Sequence, residues 1–324
     1  MKATVLMQSA TMSRPVDISQ FCSSIEWTTE LFDQPGKLSL SCVEDSGYRV
    51  DEGAKIAVLI DGDGLFTGRV FKRERDESRQ IKITAYDQLR YLQYKDFANL
   101  SAMTSSEIFE KICSEQGLTY KVVHPSAYKT AARVHDGKSY YEMIADALDD
   151  TLANNIQLFF LRDNFGVLEH VNAEKMITNL IIGEKSLLTG YTYESSIDGE
   201  TANVVKISQE NETTQKRDVY IAQDSDTIAK WGKLQYFETV DEKYNYAQIV
   251  ARAQAMLYIH NRPERTLKLS CVGDRRIRAG NGLTLALAAL RDEGLPYLKS
   301  ALVSSCTHKF EGDKHTMDLT MLIV

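Results

Sequence analysis

Asp61-Gly62-Asp63-Gly64 is the first stretch that could do chemistry, and calcium binding is what two spaced aspartates in a turn suggest. An EF-hand loop places its ligands at fixed positions and ends in a bidentate glutamate, and those are missing here. Asp-Gly steps supply positive φ cheaply, so the stretch reads as a hairpin turn, with neither Asp61 nor Asp63 holding a metal that the fold needs. The six histidines, His124, His135, His170, His260, His308 and His315, show no H-E-x-x-H or other ligand spacing, and loop or surface positions are expected for them. Gly62-x-Gly64-x-x-x-Gly68 is no dinucleotide fingerprint, because no helix follows it. No G-x-S-x-G elbow occurs. The five cysteines, Cys22, Cys42, Cys113, Cys271 and Cys306, are scattered, odd in number and without a C-x-x-C pair. They read as reduced, buried thiols in a protein assembled in the cytoplasm, with Cys113 on the core face of a helix. Carboxylates are plentiful on turns, and the two members of a glycosidase pair need not be near in sequence.

Two charge runs remain, Lys72-Arg73-Glu74-Arg75-Asp76-Glu77 and Asp274-Arg275-Arg276-Ile277-Arg278. They read as solvated turns or as ion-pairing surfaces against neighbouring proteins. Arg73, Arg75, Arg275, Arg276 and Arg278 are the interface candidates.

The elements that carry these residues are mostly strands. Lys55-Ile60 and Leu65-Phe71 flank the Asp-Gly turn. Ile81, Ile83 and Ala85 alternate with Lys82, Thr84 and Tyr86, the period of a half-buried strand. A weaker copy of this meander closes the chain. Leu283-Leu287 stands where Ile56-Ile60 stood, Arg291-Asp292-Glu293-Gly294 is the turn, and Lys309-Lys314 is the charged hairpin. Gly53 precedes the first copy as Gly280 and Gly282 precede the second. The shared order points to an internal duplication. The apolar alternation in 281–287 and 316–324 is expected to lie at sheet edges, where strands need covering.

Net charge is -7 and the apolar fraction 43%, so the chain is globular and lacks the basic footprint of a nucleic-acid protein. No apolar run approaches the roughly 20 residues of a membrane helix. The N-terminus reads as a first strand, not a signal peptide. Ile25, Trp27 and Leu31 mark one further strand, Leu38, Leu40 and Cys42 another. Thr104/Glu107 and Ser139/Glu142 are capping boxes that open two helices, the first stopped by Gly117. Residues 118–138 between them look loop-like. A hairpin over Asp163-Asn164 follows, then strands over Leu187–Glu194 and Ala202–Gln209 with Asp198-Gly199 between, a turn at 210–215, a short strand at Val219–Ala222, and a helix near 244–260 whose stripe is Tyr246, Ile249, Val250, Ala253 and Leu257. The fold class is mainly β with an α+β insert: two tube-like antiparallel β-barrel domains, 1–92 and 187–324, flanking a small α+β domain, 93–186.

This order of modules resembles the baseplate hub proteins of phage-type tails, in particular the XkdQ/YqbQ family of PBSX-like prophages and R-type bacteriocins. More remotely it is similar to late-control D proteins and the T-even tail hub. The residues that carry the resemblance are Gly53-Val58 with Phe66-Val70, Ala85-Leu89, Thr104-Gly117, Ser139-Leu148 and Gly273-Gly280. The resemblance implies a non-enzymatic, cofactor-free structural protein of a phage-like, contractile tail or tailocin. It implies a homotrimer that adapts the six-fold tail tube to the three-fold central spike. Tail tube protein, spike, baseplate wedge or LysM-containing tail proteins and the tape measure protein are its implied partners, with no membrane and no specific nucleic-acid contact. A tail-associated cell-wall hydrolase is the alternative.

Overall fold

The computed structural model describes residues 1–10, 12–43, 48–211, 216–240 and 245–323, so Tyr244, Val324 and most of the expected turn at 210–215 lie outside the described residues. From the N-terminus, period-2 alternation makes strands with one buried face. β1 (Ala3–Gln8), β2 (Val16–Asp17), β3 (Cys22–Glu30) and β4 (Lys37–Val43) precede the meander of β5 (Lys55–Ile60), β6 (Asp63–Arg75) and β7 (Gln80–Tyr86). Asp61 and Gly62 turn the β5–β6 hairpin with φ of 52° and 92°, two consecutive left-handed residues of the kind tight hairpins need. Leu38, Leu40, Ile56, Val58, Ile81 and Ile83 share one core with Trp27 and Phe310.

The insert contains β8 (Lys95–Leu100), α1 (Ser105–Glu115), β9 (Tyr120–Val122), β10 (Arg133–Ser139), α2 (Tyr140–Asn155), β11 (Phe159–Asp163) and β12 (Leu168–Asn172). Both expected capping boxes are formed, and Gly117 ends α1 with φ of 64°. Phe109, Ile112, Ile144 and Leu148 of the helices pack on Phe159 and Leu168. Residues 118–138 are not loop throughout, because β9 pairs with β12 and β10 with β8. Most β10 side chains are exposed; this ribbon is held by main-chain hydrogen bonds and has no apolar period to reveal it.

Beyond it run β13 (Ile177–Gly183), β14 (Leu188–Ser196), β15 (Val204–Asn211), β16 (Lys216–Gln223), α3 (Ser225–Trp231), β17 (Gln235–Val240) and α4 (Tyr246–His260). The chain closes with β18 (Glu264–Val272), β19 (Gly282–Ala286), β20 (Tyr297–Glu311) and β21 (Lys314–Leu322). The chain is mainly β, and among the described residues thirteen strands share one sheet.

Within that sheet one strand order occurs twice. Repeat A reads β3-β4-β7-β6-β5-β1, and repeat B reads β14-β18-β21-β20-β19-β13. The agreement reaches the detail of irregularities. The β6–β7 ladder slips between Val70 and Lys72, and the β20–β21 ladder slips between Val303 and Ser305, so each long strand carries a bulge at the same place. Gly53 N donates to Val70 O and Val70 N to Ala54 O, just as Gly280 N donates to Val303 O and Val303 N to Asn281 O. Gly53 and Gly280 have φ of 83° and 86°. Leu38-Ser39-Leu40-Ser41-Cys42-Val43 of β4 is matched by Leu267-Lys268-Leu269-Ser270-Cys271-Val272 of β18. The copies differ at the outer strand, since β1 runs antiparallel to β5 and β13 parallel to β19. The two join where β3 pairs with β20.

By compactness the chain divides into residues 1–192 with 268–323, and residues 193–267. Those borders differ from the expected division at 92 and 186. In repeat A, β3 and β4 are joined by the turn 31–36; in repeat B the connection from β14 to β18 holds the second unit. There β15 lies between antiparallel β16 and parallel β17. Helix α4 contributes Ile249 and Ala253 to a core with Val205, Ile207 and Val240. The helix expected inside the second barrel therefore belongs to a sheet of its own. The expected edge strands also need correcting: β19 lies between β13 and β20, and β21 between β18 and β20.

Candidate functional site at the junction of the repeats

Asp87 follows β7, Asp163 ends β11 and Arg278 precedes β19, so one buried polar centre draws on repeat A, the insert and repeat B. Asp87 is 6% and Asp163 8% exposed. Asp87 Oδ1 accepts from Leu89 N at 3.0 Å and Oδ2 from Gly36 N at 2.9 Å. Gly36 has to be glycine, since a Cβ there would lie 2.3 Å from Asp87 Oδ2. Asp163 Oδ1 accepts from Gly166 N at 2.6 Å and Oδ2 from Gln88 N at 3.3 Å. Gln88 in turn binds Gly166 O through Nε2 and Thr119 N through Oε1. Arg278 Nη2 donates to Asp163 O at 2.7 Å, and its Cζ lies 5.9 Å from the Trp27 ring centroid. Its Nε is enclosed without a hydrogen-bond partner among the described residues.

Burial, then the neighbouring Asp163 charge, pushes the Asp87 carboxyl well above the ordinary range. Burial likewise raises Asp163, and burial with the nearby Arg162 lowers Arg278 to about 10. Asp87, one of two neighbouring buried carboxyls with raised pKa, lines a cleft of about 650 Å³, a pattern that acid–base catalysis uses. Here all four carboxylate oxygens accept main-chain N–H groups, so the pair ties three segments together.

A second buried group lies in repeat B. His308 is fully buried. Its Nε2 meets Ile277 O at 2.7 Å and therefore carries the proton; its Nδ1, 3.0 Å from His315 Nε2, accepts. The ring stacks on Trp27 at 5.5 Å, and burial holds His308 down at about 4. His170 in β12 is also fully buried, with Nδ1 facing His124 O at 2.9 Å and Nε2 accepting from Ser105 Oγ at 3.1 Å. His135 in β10 is buried as well. The expectation of loop or surface histidines fails for these three: a neutral imidazole with its nitrogens hydrogen-bonded is at home in a core, as for His308 and His170, and His135 Nδ1 lies 3.5 Å from Asp146. Among the described residues, no group of three or more His, Cys, Asp or Glu could hold a metal ion.

The five interface candidates have different places. Arg73 and Arg75 lie on the last residues of β6, Arg73 half-buried and Arg75 exposed. Arg275 pairs with Asp63 at 3.0 Å and donates to Ile60 O, so the second charge run meets the Asp-Gly turn of the first repeat. Arg276 pairs with Asp274. Arg278 has its guanidinium inside the junction. Asp87, Asp163 and Gln88 showed no sign of forming one site, because the bonds that join them to Gly36, to each other and to Arg278 span 51, 75 and 115 residues; the Leu38–Val43 and Leu267–Val272 match did offer a signal for the duplication.

A family model described as YQBQ-like matches residues 25–322. The chain is similar to YqbQ of Bacillus subtilis (strain 168), 26% identical over 310 residues, covering 92% of this chain and 91% of that protein. It is also similar to the phage-like element PBSX protein XkdQ of the same organism, 27% identical over 301 residues, covering 90% of this chain and 89% of that one. Among solved structures, the 43 kDa tail protein of prophage MuSo2 from Shewanella oneidensis has the same fold, with a TM-score of 0.72, 12% identity and 98% of both chains covered.

Proposed function

The chain belongs to the YQBQ-like family, and from that premise we propose that it is the structural baseplate hub of a phage-like tail. Three copies form a ring that joins the six-fold tail tube to the three-fold central spike. The observation that carries this reading is the strand order repeated within one chain. A six-fold partner meets six equivalent surfaces only if each of three chains supplies two, and a duplicated sheet supplies two. The similarity to a PBSX protein and to a prophage tail protein supports the coarser part, a structural place in a tail.

On this reading the tail tube, the spike, wedge or LysM-containing tail proteins and the tape measure protein are the partners, and the tail is contractile. The channel wall is polar or acidic, because net charge is -7 and a passing polymer must not stick. The protein alone stays monomeric at low concentration if the spike or tube is needed to close the ring. A reconstruction of the intact particle tests the proposal: three copies around the axis at the baseplate are expected. Six copies, or a position outside the baseplate, would sink it.

The rival reading, a cell-wall hydrolase, draws on Asp87 beside its cleft. Occupation of every carboxylate oxygen by a main-chain donor tells against it. Assay on purified peptidoglycan decides: turnover that Asp87→Asn abolishes, with fold retained, would establish the hydrolase.

A further inference from the structure

We infer that Cys22 and Cys42 are the two halves of a cross-strand disulfide, formed when the chain meets a small disulfide oxidant of the oxidised-glutathione class. The bond lies within one chain and does not depend on the hub reading.

Cys22 opens β3 and Cys42 lies near the end of β4. The two stand directly opposite each other in the β3–β4 ladder. Opposed residues of an antiparallel pair have Cα atoms about 4.5–5.5 Å apart, inside the roughly 4.4–6.8 Å that a disulfide spans. Both side chains lie on the core face. Cys42 is 2% exposed, and Cys22 packs against the same cluster. The two thiols are within hydrogen-bonding reach, and this contact, ahead of burial, holds the Cys42 thiol above the ordinary cysteine range.

Repeat B supplies the comparison. Cys271 stands in β18 where Cys42 stands in β4, within the matched segments Leu267–Val272 and Leu38–Val43. Ser23 Oγ donates to Ser41 O and Thr189 Oγ1 to Ser270 O, so Leu188 takes the place of Cys22 in β14. The repeated position is a cysteine in both copies, and repeat A alone sets a second cysteine opposite it. Cys271 and Cys306 are kept on separate strands with β21 between them.

Access suits the chemistry. Cys22 is half-buried and the other four cysteines are buried, so the oxidant meets Cys22 first. The Cys22 thiolate attacks one sulfur of the small disulfide and expels one small thiolate, which leaves a mixed disulfide on Cys22. The Cys42 thiolate then attacks Cys22 Sγ, expels the second small thiolate and closes the S–S bond. Two protein thiols are oxidised and one small disulfide is reduced to two thiols. The protons given up by Cys22 and Cys42 end on those leaving groups.

The bond pins one end of the strand that joins the repeats. β3 pairs with β20 from Glu30 to Ile25. From there to Cys22 its pairing runs on through β4, and that ladder slips between Cys22 and Ser24. A covalent link at this end also closes the loop 22–42, which holds Gly36 against Asp87, and a closed loop restrains the unfolded chain.

The test uses the full purified chain, held with oxidised glutathione at neutral pH, then denatured and alkylated. Of the five thiols, two should escape alkylation, peptide mapping should return one Cys22–Cys42 cross-link, and dithiothreitol should restore both thiols. Oxidation should raise the melting temperature by several degrees in the parent and leave it unchanged in Cys42→Ala and in Cys22→Ser. Cys271→Ala should keep the cross-link. Should Cys42→Ala fail to fold, Cys22→Ser at the half-buried position gives the same readout. Five alkylated thiols after oxidation overturn the inference. Glutathione retained on Cys22 also overturns it, because Cys42 would then be unable to reach the mixed disulfide. So does a Cys22 cross-link to another cysteine or to a second chain.

Discussion

Arg278 donates to the main-chain oxygen of Asp163 at 2.7 Å, 115 residues back along the chain. That bond, with Asp87 and Trp27 beside it, links the loop of repeat B to the insert and to repeat A. Arg278→Ala leaves Asp163 O without its donor and removes the cation nearest two buried carboxyls, and should cost about 2 kcal/mol, the usual scale for orphaning a buried hydrogen-bonding group. Arg278→Lys should recover part of this, because the charge stays while the planar fork is lost. Urea unfolding of the three proteins measures both; equal stability of the alanine variant and the parent would refute the role given to the junction.

Stability should fall in mild acid. His308 has a folded pKa of about 4 against an ordinary 6.5, and His170 is held at about 4 as well. A base whose folded pKa is depressed binds fewer protons folded than unfolded. Its contribution is present above 6.5 and is lost as the pH drops through the window to 4, roughly 3 kcal/mol for such a shift. Melting temperatures between pH 7 and pH 4.5 should decline, and His308→Gln, which keeps a donor for Ile277 O, should flatten the decline. An identical slope in the variant would show that His308 does not titrate there.

Gly53 and Gly280 are equivalent in the repeats and share a left-handed φ, yet their substitution should differ. A Cβ on Gly53 meets nothing within 4 Å, while one on Gly280 would lie 2.1 Å from Phe160 Cζ. Gly53→Ala should cost about 1 kcal/mol of backbone strain. Gly280→Ala should cost about twice that or more, as the Phe160 ring must leave its place in a close-packed core. Denaturant midpoints of the pair provide the comparison, and equal losses would contradict the packing described.

Asn245 caps α4, with Oδ1 accepting from Gln248 N at 3.0 Å and Gln248 Oε1 accepting from Asn245 N at 2.9 Å. Asn245→Ala should weaken that helix by about 1 kcal/mol. Amide exchange should quicken in 246–260 and stay as it was in α1. Faster exchange in both helices would mean that the cap acts beyond its own helix.

The sequence by itself determined what short-range physics fixes. Alternation at Ile81, Ile83 and Ala85 made a half-buried strand, Asp61-Gly62 made a hairpin, and Thr104/Glu107 and Ser139/Glu142 each opened a helix, because each signal lies within a few residues. The duplication was partly legible, in the order of the two meanders, and the Leu38–Val43 and Leu267–Val272 match carried it further than that order did. Residues 118–138 and 225–240 hid strands and a helix, since ribbons held by main-chain bonds and short elements leave little apolar period. Only the tertiary structure decided that the second unit is held in the chain segment joining β14 to β18, that β21 is interior, and that the Nε of Arg278 is enclosed. It alone made a site of Asp87, Asp163 and Arg278. The physical reason is that desolvation and strand neighbours depend on which distant segments meet once loops close, and no local pattern encodes that meeting.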